Sequence, residues 1–166
     1  MSLLTDELRS RIGETVVYTA PEPMGRAALR YFATAVGDDN PLYTDADFAR
    51  ANGYDDVIAP PTLICETNQY MQGQRDPDGY LGHSWHLEVP NTRLVRGGNQ
   101  YKFHRPVGPD DVVTARWRIA DMTERTTSSG TQMLIVTSEA EYLSSGEPLV
   151  TNTETLIYTA LPKEAS

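Results

Sequence analysis

Two neighbouring carboxylates and a nearby phenol are the first groups of this sequence that could do chemistry. They lie in the segment GDDNPLY, residues 37–43, which places Asp38, Asp39 and Tyr43 around an Asn40-Pro41 pair. Carboxylates that follow a helix end lie where the helix dipole disfavours negative charge, which suits a general base. The same residues are also typical of a turn in which Asx side chains accept backbone hydrogen bonds. On the residues alone, both interpretations stay open.

The three histidines and the single cysteine indicate no standard catalytic or metal site. His83 and His86 are three residues apart, and we interpret them as a surface pair rather than as metal ligands. His104 is expected to point away from the face of Phe103 and to be exposed or to face a partner subunit. Cys65 lies in an apolar stretch and is interpreted as a small buried residue. Neither a phosphate-binding glycine loop nor a zinc cluster is present in the sequence.

Four basic residues form the densest basic run of an otherwise acidic chain. The formal net charge of −9 argues against nucleic acid or an anionic membrane as the main partner. A small anionic ligand would need a local basic patch, and the available residues are Arg93, Arg96, Lys102 and Arg105. A set of solvated surface charges explains the same run equally well.

Length and composition predict one packed domain over residues 1–166. The chain is 39% hydrophobic and 22% charged, which is enough for a core without disulfides or a structural metal. Its apolar runs are far shorter than the roughly 20 residues of a membrane-spanning helix. The N-terminus lacks the apolar core of a secretory signal, so we expect a cytoplasmic protein.

Helical patterns occupy the first half of the chain. Apolar periodicity predicts a helix over 26–36, ended by Gly37, and a shorter helix over 46–52. A double proline then introduces a longer apolar helix over 62–72. Residues 73–89 show no period and are predicted to form a long loop.

Strand patterns occupy the second half. Period-two alternation predicts four strands, over residues 101–107, 112–119, 132–142 and 149–158. The turns between the last three strands are too short for a crossover helix, so the sheet should be antiparallel. Helices followed by strands indicate an α+β domain, such as a curved antiparallel sheet wrapped around a long central helix.

Several of these segments together resemble a known family. GDDNPLY at 37–43, VIAPPTL at 57–63 and FHRPV at 103–107 are similar to segments of MaoC-like hot-dog hydratases and dehydratases. The resemblance is greater to the FAS1-like N-terminal dehydratase branch of these proteins. It covers roughly residues 8–160 and implies a hot-dog fold.

The resemblance also shows which catalytic groups differ. Catalytically complete members read Asp-x-Asn-Pro-x-His, and their next helix opens with His-Gly. Their Asp and His activate water for addition to an enoyl thioester, and the glycine N–H polarises the carbonyl. Here Tyr43 stands at the histidine position, and a phenol with a pKa of about 10 is poorly matched to this proton transfer. Pro60-Pro61 replace His-Gly, and Pro61 has no N–H to donate.

A degenerate half site is therefore what the resemblance implies. The catalytic positions are Asp38, Asn40 and Tyr43, and the substrate-binding positions are Pro61, Thr62 and the four basic residues. The expected substrate is an acyl-CoA or acyl-carrier thioester, with no further cofactor. A second MaoC-like hot-dog subunit with intact Asp and His would complete an enoyl-thioester hydratase or (3R)-hydroxyacyl dehydratase.

Two alternatives stay open. A self-sufficient homodimeric enoyl-CoA hydratase would use Asp38 together with a different acid, either Tyr43 or His104. A module that binds acyl-CoA or acyl-lipids would hold the ligand without any lyase chemistry.

Overall fold

The fold is built on a long antiparallel sheet, seen in a computed structural model that describes residues 2–70, 75, 79 and 82–162, with only the backbone of 66–70. The strands in these ranges are β1 (Thr15–Thr19), β2 (Thr92–Phe103), β3 (Thr114–Thr126), β4 (Gln132–Ser144) and β5 (Glu147–Ala160). They form one sheet in the order β1-β3-β4-β5-β2, and each neighbouring pair is antiparallel. Strands β2 and β1 therefore lie at the two edges.

Three α-helices and two 3-10 helices occur in the same ranges. They are α1 (Asp6–Ser10), α2 (Gly25–Val36), α3 (Ala46–Ala51), a short 3-10 helix at Pro41–Tyr43 and a longer one at Pro61–Tyr70, here called the central 3-10 helix. None of the described helices is long and apolar enough to cross a membrane.

One face of the sheet, here called the inner face, is apolar where β3 and β4 pair. Alternate residues of the two strands are buried there, namely Ala115, Trp117, Ile119, Met122, Leu134, Val136, Ala140 and Tyr142. Leu63 and Ile64, at the start of the central 3-10 helix, are buried in the same core, as is Leu29 of α2. Because burying one large aliphatic side chain stabilises a fold by about 1.5–3 kcal/mol, these residues fix the helix against the sheet.

The helical predictions agree with the structure at most positions. Helices α2 and α3 match their predicted ranges within one residue. Gly37 ends α2 with a φ of 71°, a left-handed conformation that glycine adopts at little cost. The predicted helix over 62–72 begins at Pro61 and has 3-10 geometry, and residues 71 and 72 lie outside the described residues. Residues 82–89 form no helix or strand, as predicted, whereas most of 73–81 is outside the described residues.

The strand predictions are confirmed for the centre of the sheet and fail at its edges. Strands β4 and β5 contain the predicted segments and extend beyond them, whereas β3 begins two residues after its predicted start and ends seven residues after its predicted end. The strand predicted over 101–107 is correct only at 101–103, because β2 runs from Thr92 to Phe103. A bulge at Gly97 interrupts the alternation of β2, and most of its residues are exposed, so a period-two pattern is missing. The five-residue strand β1 was too short to give a pattern.

His83 is packed against aromatic rings. Its ring stacks on Trp117 with centroids 4.6 Å apart and meets Trp85 edge-on at 4.4 Å. Its Nδ1 lies 3.0 Å from the hydroxyl of Tyr18. The interpretation of a surface pair is therefore wrong for His83, because the two tryptophans shield it, although His86 is exposed. In the described ranges, no group of three or more His, Cys, Asp or Glu side chains is arranged to bind a metal.

Protonation of His83 is expected to destabilise the fold in mild acid. Burial, followed by the proximity of His86, lowers the pKa of His83 from 6.5 to about 4. Because the folded state favours the neutral ring, this contribution to stability is complete above pH 6.5 and is lost as the pH falls towards about 4. The shift corresponds to a loss of at most about 3 kcal/mol.

Urea unfolding at neutral pH and near the lowered pKa measures this loss. His83→Phe keeps an aromatic ring at this position without a titratable group. We expect the variant to lose distinctly less stability than the wild type between the two pH values. Equal losses in both proteins would contradict the assignment to His83.

Candidate functional site

The segment that follows α2 is a turn held by its own side chains. The Asp38 carboxylate accepts a hydrogen bond from the backbone N–H of Asn40 at 3.1 Å. The side-chain oxygen of Asn40 accepts one from the N–H of Leu42 at 3.1 Å and so caps the short 3-10 helix. The turn interpretation of these residues is therefore confirmed, while a role of Asp38 as a general base stays a prediction.

Tyr43 ends this turn with its ring in the protein interior, where 7% of its surface is exposed. Burial, and then the carboxylate of Asp38, raise the pKa of the Tyr43 phenol, and the Asn40 side chain opposes them. The phenol is therefore neutral at physiological pH. A neutral phenol can donate a hydrogen bond, but it does not take a proton from water.

A pocket of about 330 Å³ opens beside Tyr43. Aromatic and aliphatic side chains form most of its wall, among them Tyr43, Tyr54, Ile58, Pro61, Ile64 and Phe103. The backbone N–H of Ala59 donates to the carbonyl of Val107 at 2.7 Å, which joins the segment before the central 3-10 helix to the segment after β2. This volume and this apolar lining are typical of a small-molecule site.

Pro61 contributes a ring to the pocket wall and no hydrogen-bond donor. It is the first residue of the central 3-10 helix, where its fixed φ suits the helix and its missing N–H leaves no internal bond unmade. The neighbouring Thr62 is exposed and does not belong to the pocket wall. Of the predicted site residues, Tyr43, Pro61 and Arg105 are brought together here, whereas Asp38 and Asn40 lie in the adjacent turn.

The four basic residues do not converge on one point. The register of β2 with β5 places Arg93 and Lys102 on the outer face of the sheet and Arg96 on the inner face. Among the four, only Arg105 lines the pocket. Their roles in binding the phosphates of coenzyme A stay a prediction.

Arg105 is held in an ion pair with Asp111. Two guanidinium nitrogens donate to the two carboxylate oxygens at 2.9 and 2.7 Å, and the N–H of Gly108 donates to the same carboxylate at 2.8 Å. Burial works to raise the pKa of Asp111, but the hydrogen bonds from Arg105 and Gly108 lower it overall. The pair therefore braces the segment that forms one wall of the pocket.

His104 lies between Phe103 and Arg105 and also lines the pocket. Its side chain is exposed, as predicted, and its Nε2 lies 3.4 Å from the hydroxyl of Thr151. The pocket therefore brings His104 to the same cavity as Tyr43, although the two residues are far apart in the sequence. The alternation of the predicted strand alone did not indicate this.

A second polar group, which the sequence patterns do not single out, lies on the inner face where β5 and β2 pair. We call Arg96, Asn99, Asn152 and Glu154 the polar strip. Asn152 and Glu154 are 2% and 7% exposed, and the side-chain amide of Asn152 donates to the Asn99 oxygen at 3.0 Å. Burial raises the pKa of Glu154, and Arg96, 3.5 Å away, opposes the rise. Two polar residues at inward positions of an otherwise apolar strand were the available sequence signal.

The sheet and the pocket together define the class of protein. The arrangement is the hot-dog fold of MaoC-like dehydratases, as the sequence resemblance implies. The chain superposes on a chain of the ChsH1-ChsH2 complex from Mycobacterium tuberculosis with a TM-score of 0.68, at 19% identity over 92% of each chain. Against the C-terminally truncated HadBC (3R-hydroxyacyl-ACP dehydratase) complex of that organism, the TM-score is 0.61 at 26% identity, over 86% of this chain and 95% of the other.

Sequence comparison identifies the family. Residues 10–152 match the family described as FAS1-like, dehydratase domain region. A UPF0336 protein of Thermobifida fusca is 36% identical over 144 residues, which are 84% of this chain and 87% of that protein. The chain belongs to this FAS1-like dehydratase family.

Loss of the Arg105–Asp111 pair is expected to destabilise the protein. Arg105→Ala removes two donors from a carboxylate that is only 12% exposed, so we expect a loss of about 1–3 kcal/mol. The matched control is Arg116→Ala, whose partner Glu141 is 52% exposed, and it should cost less than about 1 kcal/mol. Urea unfolding of the two variants measures both values, and equal losses would contradict a bracing role for Arg105.

Proposed function

We propose that this chain is the acyl-binding, half-site subunit of an enoyl-thioester hydratase or (3R)-hydroxyacyl dehydratase. The observation that carries the proposal is the pocket beside Tyr43, which lies at the position of the family's catalytic motif. It holds a buried neutral phenol and Pro61, which has no N–H. The substrate would be an acyl-CoA or acyl-carrier thioester, with no other cofactor.

Hydration of an enoyl thioester needs more than this pocket supplies. Water adds its oxygen to the β-carbon and gives up one proton to a base, while the α-carbon receives a proton. The developing enolate oxygen needs a donor, and the loss of one such donor typically costs about 2.7–4 kcal/mol of transition-state stabilisation. Tyr43 is a poor base, and Pro61 cannot donate at its position. A partner that carries intact Asp-x-Asn-Pro-x-His and His-Gly motifs would supply these groups.

The edge strand β2 is the proposed place of contact with that partner. It is 12 residues long, and its apolar residues Leu94 and Val95 are 55% and 43% exposed. Long edge strands are often covered, because their free backbone groups pair readily with other strands. The ChsH1-ChsH2 and HadBC complexes, each of two different chains, support a second hot-dog domain as the occupant.

An activity assay on the separate and combined subunits tests the proposal. The chain is isolated from its native host, and a co-purifying hot-dog protein with intact motifs is identified. We expect hydration of a trans-2-enoyl-CoA by the pair at a rate at least about 10²-fold above that of this chain alone. Asp38→Asn should leave the rate of the pair almost unchanged, whereas the equivalent change in the partner's motif should abolish it.

The alternatives predict different results in the same assay. Strong hydration by the pure chain, abolished by Asp38→Asn, would contradict the half-site proposal and support a homodimeric hydratase. In that case His104→Gln would test the pocket histidine as the acid. Thermal stabilisation by acyl-CoA without turnover, with or without hot-dog partners, would support a binding module instead.

A charge on β2 is expected to weaken the association with the partner. Val95→Asp would place a carboxylate in an apolar contact, where an unpaired charge is costly, and the dissociation constant should rise at least about tenfold. Val17→Asp is the matched control, because Val17 is 53% exposed on the opposite edge strand β1. Titration calorimetry of each variant with the partner measures the effect. Equal effects of the two substitutions would contradict β2 as the contact.

A further inference from the structure

The polar strip contains a buried group that the described residues leave unpaired. Asn152 donates to Asn99 through Nδ2, but its Oδ1 is buried and has no hydrogen-bond partner in the described ranges. Exchanging the two ends of the amide would leave Nδ2 unpaired instead, so one atom of Asn152 lacks a partner in either orientation. Buried polar groups in folded proteins are nearly always paired, and an exception calls for an explanation.

A neighbouring buried group shows how this sheet satisfies a purely structural polar residue. Ser138 lies on β4 opposite Glu154 and is fully buried. The indole N–H of Trp85 donates to its hydroxyl at 2.8 Å. Ser138 is thus paired from within the core. Asn152 occupies the next inward position of β5 after Glu154, and its Oδ1 has no comparable partner in the part of the chain that the structure describes.

The polar strip continues the wall of the Tyr43 pocket. Phe103 lines that pocket, and its ring stacks on Tyr101 with centroids 6.2 Å apart. The register places Tyr101 opposite Asn152 and Asn99 opposite Glu154, so all of these face inwards. At about 3.3 Å per residue, the inner face of β2 runs about 13 Å from Phe103 to Asn99.

The central 3-10 helix borders the same stretch of β2. Ile64 of the central 3-10 helix lines the pocket, and the next residue, Cys65, interacts with the hydroxyl of Tyr101. Tyr101 therefore lies between the pocket and Asn152 on the inner face of β2, and its contact with Cys65 would have to open for an acyl chain to reach Asn152. The pocket beside Tyr43 and the polar strip are thus neighbours on the inner face of the β2–β5 pair.

We propose that the polar strip is a subsite for a hydroxyl group carried by the acyl chain of the thioester, remote from its carbonyl. This inference rests on the proposed function and specifies its substrate class. A hydroxyl both donates and accepts, so it satisfies the unpaired atom of Asn152 in either orientation of the amide. A plain alkyl chain would leave that atom unpaired and would lie against the Glu154 carboxyl.

The charges of the strip favour a neutral polar group over an ion. Glu154 is nearly buried, and the guanidinium of Arg96, 3.5 Å away, partly balances it. An added anion would meet Glu154, and an added cation would compete with Arg96. A neutral hydroxyl can donate to the Glu154 carboxylate without adding a charge to the strip.

Titration calorimetry with matched thioesters tests this inference on the full chain, alone and with its partner. The probes are saturated fatty acyl-CoA esters of one length, with a single hydroxyl at successive positions beyond the β-carbon. The unsubstituted ester is the reference. We expect one group of positions to bind about tenfold more tightly than the reference.

Two variants connect the preference to the polar strip. Asn152→Leu has a similar volume and no polar atoms, so it should bind the unsubstituted ester at least as well as the wild type and show no hydroxyl preference. Gln100→Leu is the matched control, because Gln100 is exposed on the outer face of β2. It should keep the full preference. Glu154→Gln, which preserves the side-chain volume, is measured as well, in case Asn152→Leu fails to fold.

The outcomes separate the two proposals. Equal affinity of the wild type for hydroxylated and unsubstituted esters would overturn the subsite and leave the acyl-binding function intact. A preference that survives Asn152→Leu, or that survives Glu154→Gln where Asn152→Leu fails to fold, would overturn the subsite as well. Failure to bind any ester, alone or with the partner, would contradict the proposed function itself.

Discussion

The burial of the start of the central 3-10 helix against the inner face of the sheet is the interaction on which the site depends. Leu63 and Ile64 are 0% and 1% exposed and pack in one core with Trp117. Because these side chains are fixed, the preceding Pro61 is fixed at the wall of the pocket. The hydrogen bond from Ala59 to Val107 then joins this wall to the segment after β2. The core thus holds Pro61 and the end of β2 around one cavity.

The residues that remove catalytic groups from this pocket are favourable for the fold. Pro61 has the backbone geometry that a first helical position requires, and Tyr43 buries a large ring. An imidazole and a glycine at these two positions would add chemistry but less apolar contact. A subunit that packs well at its own motif and relies on a partner for proton transfer is a consistent physical outcome. The polar strip is the exception, because Asn152 and Glu154 are buried at a cost that packing does not explain.

The parts of the fold that were predictable from sequence are those in which one residue pattern decides the structure. The alternation of β3, β4 and β5 follows from one apolar face, and Gly37 marks the end of α2. Strand β2 was not predictable beyond its last residues, because its exposed face and the bulge at Gly97 remove the alternation. The motif indicated Tyr43 and Pro61 correctly as neighbours in space. The proximity of His104 and the burial of His83 depend on tertiary contacts, which local periodicity does not contain.

Photo-crosslinking in the native complex tests the central claim that this chain holds the acyl group while its partner performs the chemistry. The probe is an acyl-CoA with a diazirine in the acyl chain, and mass spectrometry locates the modified peptides. The account predicts labelling of this chain at residues 54–64 and 101–105, which form the pocket wall and its continuation along β2. Labelling confined to the partner, in a complex that hydrates enoyl-CoA, would contradict it.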